Sequence, residues 1–161
     1  MATEISPARP LSGIRLFVFD LDGTLVDSLR DLTESTNVLL RECGCPPHSE
    51  AAIARMVGDG ASTLVARAFD AAHCPPPSNA LSRFLEIYDG RLLEHTRLYD
   101  GVEELLPQLA ARGTLALLTN KPLGATREVL EGLQIANFFG SRVVGGDGPL
   151  GRKPDPAGLL S

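Results

Sequence analysis

The chain has 161 residues, of which 43% are hydrophobic and 22% charged, values close to those of folded globular domains and far from those of disordered or collagen-like chains. Its formal net charge is -5, so it lacks the basic surface that nucleic acids require, and we expect no nucleic-acid partner. No apolar run approaches the roughly 20 residues of a membrane span, so we expect no membrane partner.

Residues 1–13 are predicted to form an N-terminal tail, because they mix charged residues with proline and carry no apolar leader segment. The chain has three cysteines, an odd number that does not suit a framework of disulfides. Together these features predict a cytoplasmic location.

Three short apolar runs along the chain predict parallel β-strands. The first, residues 14–19, ends directly before Asp20, and the others span residues 114–119 and 142–146. A helix precedes the second strand, with Asp100 as its predicted N-cap. Alternating helices and strands of this kind predict an α/β fold with a Rossmann-like parallel sheet.

Residues 28–97 lie between the first and second predicted strands and have a different pattern. They contain no strand-like run, and apolar residues recur at helical spacing in four of their segments. The fourth segment, residues 81–93, carries Gly90 in its interior. We therefore predict an all-helical insert at residues 28–97, hereafter the helical insert, within a core domain of residues 14–27 and 98–161.

The segment FVFDLDGT places Asp20 and Asp22 directly after the first strand. Ligands of open parallel sheets bind at the carboxyl ends of the strands, so both carboxylates are candidates for a site. A carboxylate there can bind a hard divalent cation or attack phosphorus, and a second one can give and take a proton. The alternative is a pair of aspartates that only form a turn. An EF-hand loop is excluded, since Leu25 occupies the position at which that loop needs glycine.

Two later segments place polar residues at the same predicted edge of the sheet. Thr119 and Asn120 follow the second strand, where a hydroxyl and backbone N–H groups can hold phosphate oxygens. Lys153 follows the third strand, where an ammonium group can offset the charge of a phosphate and a carboxylate. Each residue alone is typical of a solvated loop, but together they favour phosphoryl transfer.

The residues from Asp20 to Thr24 match the D-x-D-G-T motif of the haloacid dehalogenase superfamily, which this chain resembles. Thr119 and Lys153 are similar to the hydroxyl residue and the lysine of the superfamily's second and third motifs. Further segments, such as LLTNKP and GRKPDP, are similar to the phosphoglycolate phosphatase family within it. The helical insert resembles the small cap that covers the active sites of these proteins.

That resemblance implies an enzyme that hydrolyses a small phosphomonoester, above all 2-phosphoglycolate, through an aspartyl-phosphate intermediate. Asp20 would be the nucleophile and Asp22 the general acid and base, while Thr119, Asn120 and Lys153 would bind the substrate. Mg²⁺ would be the cofactor, bound by the Asp20 side chain and the Asp22 backbone carbonyl. A mutase or a pyrophosphatase of the same superfamily is the alternative within the enzyme class.

The chain departs from the superfamily's pattern near its C-terminal end. Members carry a fourth, acidic motif after a fourth strand, and no such segment precedes Ser161. Asp147 is not expected to replace it, because this residue follows a different strand. Without a fourth strand, the first strand would have an open apolar edge, which predicts self-association through that edge. A phosphate-binding chain without catalytic activity is therefore the alternative outside the enzyme class.

Overall fold

The computed structural model describes residues 13–160, so Ser161 and all but the last residue of the predicted tail lie outside the described residues. It has helices and a parallel sheet, which confirms the predicted α/β class. The strands are β1 (Leu16–Phe19), β2 (Val26–Asp27), β3 (Arg97–Leu98), β4 (Thr114–Leu118) and β5 (Val143–Val144). The helices are α1 (Leu29–Glu42), α2 (Glu50–Ala54), α3 (Ala61–Ala71), α4 (Ala80–Asp89), α5 (Val102–Ala110), α6 (Leu123–Gly132), α7 (Ala136–Phe139) and α8 (Ala157–Leu160). No helix in the described part of the chain is both long and apolar enough to span a membrane.

The main sheet has the strand order β1-β4-β5, and all its neighbouring strands are parallel. In its register Phe19 lies beside Leu117, and Leu117 lies beside Val143. The side chains of Leu115 and Leu117 are buried, and helices α5 and α7 pack against β4. Because parallel strands end at the same edge of a sheet, the residues that follow β1 and β4 come together there.

The predicted strands are present but shorter than their apolar runs. β1 begins at Leu16 rather than at residue 14, and β5 has only the two residues Val143–Val144. The prediction of Asp100 as the N-cap of α5 was wrong, because Gly101 occupies that position with a φ of 85°. A residue with a side chain rarely adopts this conformation, so glycine is favoured there.

The helical insert contains α1, α2, α3 and α4, and α1 contacts the other three helices. Phe69 of α3 and Phe84 of α4 are buried in the core that these helices share. The fourth helix is shorter than predicted: it ends at Asp89, and Gly90 is its C-cap instead of an interior residue. Its position at the end of the helix avoids the cost of about 1 kcal/mol that glycine carries inside one.

Strands β2 and β3 form a two-stranded antiparallel ribbon that the sequence patterns did not predict. Val26 pairs with Leu98 and Asp27 pairs with Arg97, whose side chains also form an ion pair of 3.1 Å. The ribbon therefore lies where the chain enters and leaves the helical insert. The division of the chain into a core domain and an insert stays a prediction, and the ribbon coincides with its predicted boundary.

The outer edge of β1 is exposed. Among residues 13–160, β1 pairs with β4 alone, and the exposed fractions of Leu16 and Val18 are 53% and 42%. An unpaired strand edge that carries apolar side chains is a template for pairing with another chain. The described residues thus have the open edge that was predicted for the first strand.

Candidate active site

The turn after β1 determines where Asp20 and Asp22 lie. Leu21 between them is fully buried, and its carbonyl accepts hydrogen bonds from the backbone N–H groups of residues 24–26. Gly23 has a φ of 79°, a conformation that glycine adopts without strain. The chain therefore reverses within a few residues of the strand end, and both aspartates stay at the edge of the sheet.

Asp20 is paired with the predicted lysine. Its Oδ1 atom lies 2.7 Å from Lys153 Nζ and accepts a hydrogen bond of 2.8 Å from the Leu21 backbone N–H. The Lys153 and Asp20 side chains are 31% and 38% exposed, so this ion pair is accessible to a ligand. Within residues 13–160, no hydrogen bond reaches Asp20 Oδ2, which leaves this oxygen available to a cation or to phosphorus.

Asp22 is held more firmly than Asp20. Ser28 Oγ donates a hydrogen bond of 2.6 Å to Asp22 Oδ1, and Lys121 Nζ lies 3.3 Å from Oδ1 and 3.5 Å from Oδ2. The Lys121 ammonium group also donates to the Tyr88 hydroxyl and lies 4.3 Å from the centre of the Tyr88 ring. The side chains of Lys121 and Asp22 are only 3% and 17% exposed, so Asp22 occupies a fixed, largely buried position.

Burial and the ion pair act in opposite directions on the pKa of Lys121. Burial is the largest single effect and lowers this pKa, because the protein interior favours the neutral amine, but Asp22 and Tyr88 together raise it by more, so the net pKa is raised. Burial also raises the pKa of the Tyr88 hydroxyl, to about 12. At neutral pH Lys121 is therefore charged and Tyr88 is neutral, so the ammonium can donate to the phenol oxygen.

Thr119 and Asn120 follow β4 and are both buried. Thr119 Oγ1 accepts a hydrogen bond of 3.2 Å from the Lys121 backbone N–H. The Asn120 amide donates to the carbonyls of Gly58 at 3.0 Å and Lys153 at 3.2 Å, and it accepts from the Lys153 N–H at 2.7 Å. Asn120 thus joins the helical insert to the segment that carries Lys153. The substrate contact predicted for its side chain stays a prediction.

These residues border a cleft with about 560 Å³ of empty space that includes open solvent. Its polar lining consists of Asp20, Asp22, Tyr88, Thr119, Asn120 and Lys121. The rest of the lining is largely apolar and comes mostly from the helical insert, with Leu32, Val57, Leu64, Phe84 and Leu85. A cleft that is largely apolar and has a few converging polar groups is typical of a site for a small ligand.

The structure brings the predicted site residues together: four line the cleft, and Lys153 contacts Asp20 directly. Lys121 and Tyr88 were not predicted. Lys121 follows Asn120 in the LLTNKP segment, so its place just beyond a strand end was a usable signal. Tyr88 gave no signal, since a tyrosine on the apolar face of a helix usually only packs in the core.

The oxygens around Asp20 suit a hard cation such as Mg²⁺. No hydrogen bond from the described residues reaches Asp20 Oδ2 or the Asp22 backbone carbonyl. Mg²⁺ prefers oxygen ligands and keeps several waters, so one carboxylate and one carbonyl fit its requirements. Asp147 has a structural contact instead: its Oδ1 accepts a hydrogen bond of 2.8 Å from the Leu123 N–H at the start of α6.

A second group of side chains of metal-binding type lies outside the cleft lining. It consists of Asp31, Glu94 and His95, whose donor atoms lie within 4.8 Å of one another. Asp31 is fully buried, and its oxygens accept hydrogen bonds of 2.7 to 3.0 Å from the His95 N–H and from the N–H and hydroxyl of Thr96. Because the protein itself satisfies this carboxylate, we interpret the group as a structural link between α1 and the segment before β3.

Comparisons with known proteins show the family of this chain. The sequence profile of the haloacid dehalogenase-like hydrolase family matches residues 17–161. A phosphoglycolate phosphatase from Rhodospirillum rubrum is 48% identical, over 88% of this chain and 62% of that protein. A phosphoglycolate phosphatase from Vibrio cholerae serotype O1 is 42% identical, over 92% of this chain and 69% of that protein. This chain spans 56% to 69% of the length of these and another such relative.

A solved structure has the same architecture. The crystal structure of a predicted phosphoglycolate phosphatase from Haemophilus somnus 129PT is similar to this chain with a TM-score of 0.82. The two sequences are 34% identical, and the match covers 91% of this chain and 68% of the other. The similarity thus extends over most of this chain.

Proposed function

The chain belongs to the haloacid dehalogenase-like hydrolases, and we propose that it is a Mg²⁺-dependent phosphatase that hydrolyses a small phosphomonoester. The observation that carries this proposal is the convergence of Asp20, Asp22, Thr119 and Lys153 at one edge of the sheet. Two carboxylates, a hydroxyl and a lysine around one cleft are the groups that transfer of a phosphoryl group to water requires.

Asp20 is the proposed nucleophile. Its Oδ2 atom forms a bond to phosphorus as the bond between phosphorus and the ester oxygen breaks, which gives an aspartyl phosphate. Asp22, which takes up a proton before the transfer, gives this proton to the departing oxygen, and as a carboxylate it then removes a proton from the water that hydrolyses the aspartyl phosphate, which restores its protonated form. Asp20 and Asp22 both return to their initial states, and the products are an alcohol and inorganic phosphate.

Thr119 and Lys153 are proposed to bind the phosphoryl group. The Thr119 hydroxyl can donate to a phosphate oxygen, and the Lys153 ammonium, which lies 2.7 Å from Asp20 Oδ1, offsets the charge that nucleophile and phosphate bring together. Asn120 supports them through its hydrogen bonds to Lys153. The Asp20 side chain and the Asp22 carbonyl would hold Mg²⁺, which when bound reduces the repulsion between the carboxylate and a phosphate dianion.

For the substrate we propose 2-phosphoglycolate, with glycolate and phosphate as products. The support is the phosphoglycolate phosphatase activity in the names of relatives at 42% and 48% identity. The lining of the cleft, largely apolar with a few polar groups, is also typical of a site for a small ligand. The apolar residues that the helical insert contributes to the cleft would limit the size of the group attached to the phosphate.

Steady-state hydrolysis tests this function. We expect the chain to release phosphate from 2-phosphoglycolate with Mg²⁺, and to lose about a thousandfold or more of this activity in Asp20→Asn or with a chelator. Asp27→Asn, in the ribbon, is the matched control and should retain the activity within about twofold. Phosphate binding without turnover would contradict the proposal and favour the non-catalytic alternative. Faster phosphoryl transfer to a sugar phosphate, or faster cleavage of pyrophosphate, would favour a mutase or a pyrophosphatase.

We also propose that copies of the chain associate through the exposed edge of β1. The support is the unpaired edge in the described residues, together with the exposed side chains of Leu16 and Val18. The cytoplasmic location predicted from the sequence stays a prediction.

A further inference from the structure

Lys121 is a buried cation beside the reacting groups, and the function proposed above gives it no role. Within residues 13–160, its ion-pair partner is Asp22. Its second partner is the hydroxyl of Tyr88, which belongs to α4 of the helical insert. An ammonium group taken out of water is unfavourable unless partners replace the water, so these two residues fix its position.

Asp22 is contacted from both ends of the helical insert. Ser28, directly before α1, donates to Asp22 Oδ1 at 2.6 Å. Tyr88, near the end of α4, reaches Asp22 through Lys121, whose Nζ lies 3.3 and 3.5 Å from the two carboxylate oxygens. The orientation of the Asp22 carboxylate therefore depends on the insert as well as on the sheet.

Two other polar contacts between the insert and the core do not involve Asp22. Asn120 donates to the Gly58 carbonyl at 3.0 Å, and Arg152 donates to the Ser62 hydroxyl at 2.8 Å. These hydrogen bonds help to hold the insert over the cleft. Because they are separate from Lys121, a change at Lys121 can disturb Asp22 while these contacts persist.

We propose that Lys121 is a positioning residue that orients Asp22 for proton transfer. Through Tyr88, this orientation depends on how the helical insert packs against the core. The inference rests on the proposed function, which assigns the proton transfers to Asp22. Proton transfer requires hydrogen-bond distance, so a small displacement of this carboxylate is enough to slow it. Substrate binding relies on Thr119 and Lys153 instead, so the change should affect turnover more than binding.

Kinetics of Tyr88→Phe and Lys121→Met in the full chain, with Mg²⁺ and 2-phosphoglycolate, test the inference. We expect kcat to fall about tenfold in Tyr88→Phe and about a hundredfold in Lys121→Met, with KM changed by less than about threefold. The controls are Tyr99→Phe, at an exposed tyrosine, and Arg83→Met, at an exposed ion pair of α4. Both should stay within about twofold of the unchanged chain.

Chemical rescue distinguishes positioning from a general loss of structure. We expect added ethylammonium to restore part of the kcat of Lys121→Ala, because a small cation can occupy the space next to Asp22. Tyr99→Phe and Arg83→Met should not respond to it. An unchanged kcat in Tyr88→Phe and Lys121→Met, or an effect confined to KM, would overturn the inference.

Hydrogen exchange separates this inference from the proposed function. If the original chain has no turnover, the proposed function fails. The contact that Lys121 makes between Asp22 and Tyr88, here called the link, is then tested by amide exchange in two segments, residues 20–27 and residues 84–90. We expect Lys121→Met to speed exchange in both segments, because it breaks the contact between them, and Arg83→Met to affect α4 alone. Unchanged exchange of residues 84–90 in Lys121→Met would refute the link in an active or an inactive chain.

Discussion

The two ion pairs at the cleft differ in their exposure to water. Asp20 and Lys153 are partly exposed, whereas Asp22 and Lys121 are largely buried. Water weakens the exposed pair, so an incoming phosphate can compete for Lys153, while the buried pair keeps its geometry. A nucleophile has to meet its substrate and a proton donor has to be held in place, so each aspartate has the surroundings that its proposed role requires.

The raised pKa of Tyr88 predicts a specific sensitivity to alkaline pH. The pKa of an unperturbed tyrosine is about 10.0 and that of the folded Tyr88 is about 12, so over this pH range the folded state retains a proton that the unfolded state loses. This contribution to stability is complete below pH 10 and is lost as the pH rises toward 12, at a cost of about 2–3 kcal/mol.

Urea unfolding over this pH range measures the effect. We expect the free energy of unfolding to decline less with pH in Tyr88→Phe than in the unchanged chain, because phenylalanine has no proton to lose. Tyr99→Phe, at the exposed tyrosine, should keep the full decline. Equal declines in all three proteins would show that Tyr88 is not buried in its neutral form.

The predicted site residues could be located from the sequence because they follow apolar strands whose ends share one edge. Asp20 and Thr119 follow from this rule directly. The contacts of Asp22 with Lys121 and Tyr88 could not be predicted from this rule, since Tyr88 lies 33 positions from Lys121 and belongs to the helical insert. The hydrogen bond from Asn120 to Gly58 could not be predicted either, because it depends on where the loop that contains Gly58 packs.

At the scale of elements, the attachment of the helical insert decides the shape of the cleft. The β2–β3 ribbon and the hydrogen bonds of Asp31 fix the two points where the chain enters and leaves it. The loop before α3 closes the cleft at another point, where Gly60 packs against the Asn120 backbone. A change in this loop should therefore alter the fit between insert and core.

Gly60→Ala tests this close approach. A Cβ atom at Gly60 would lie 3.1 Å from the Asn120 carbonyl oxygen, and the φ of 90° disfavours any side chain. We expect the variant to lose about 1–3 kcal/mol of unfolding free energy in urea titrations. Gly124→Ala in α6, where a Cβ would meet nothing within 4 Å, is the control and should gain about 0.5–1 kcal/mol. Equal changes in the two variants would contradict the close approach.

The long elements could be predicted from periodicity and the short ones could not. α1, α3 and β4 follow apolar patterns that extend over several turns or residues. β2 and β3 have two residues each and pair across 70 positions, so neither contains a pattern. Their pairing results from the way the insert leaves and rejoins the core.

At the scale of the whole molecule, the main sheet formed by residues 13–160 has two edge strands, β1 and β5. β4 lies between two strands, whereas β1 has a neighbour on one side only among residues 13–160. Leu16 and Val18 are exposed on this edge strand. Exposed apolar side chains beside unpaired backbone groups favour association between copies of the chain.

Leu16→Lys tests association through β1. A charged side chain on an edge strand opposes pairing with a second chain, so we expect the variant to have a lower average mass than the unchanged chain in size-exclusion chromatography with light scattering. Leu105→Lys places the same charge at an exposed leucine of α5 and should leave the mass unchanged. The edge of β1 would be excluded as the interface if the original chain is monomeric at all concentrations. It would also be excluded if both variants change the mass equally.

Covalent phosphorylation of Asp20 is the central claim, and mass spectrometry of the chain quenched in acid during turnover of 2-phosphoglycolate tests it most directly. We predict one added phosphoryl group on the peptide that contains Asp20, dependent on Mg²⁺ and absent from Asp20→Asn. Turnover without this modification, or a phosphoryl group on a different residue, would contradict the account.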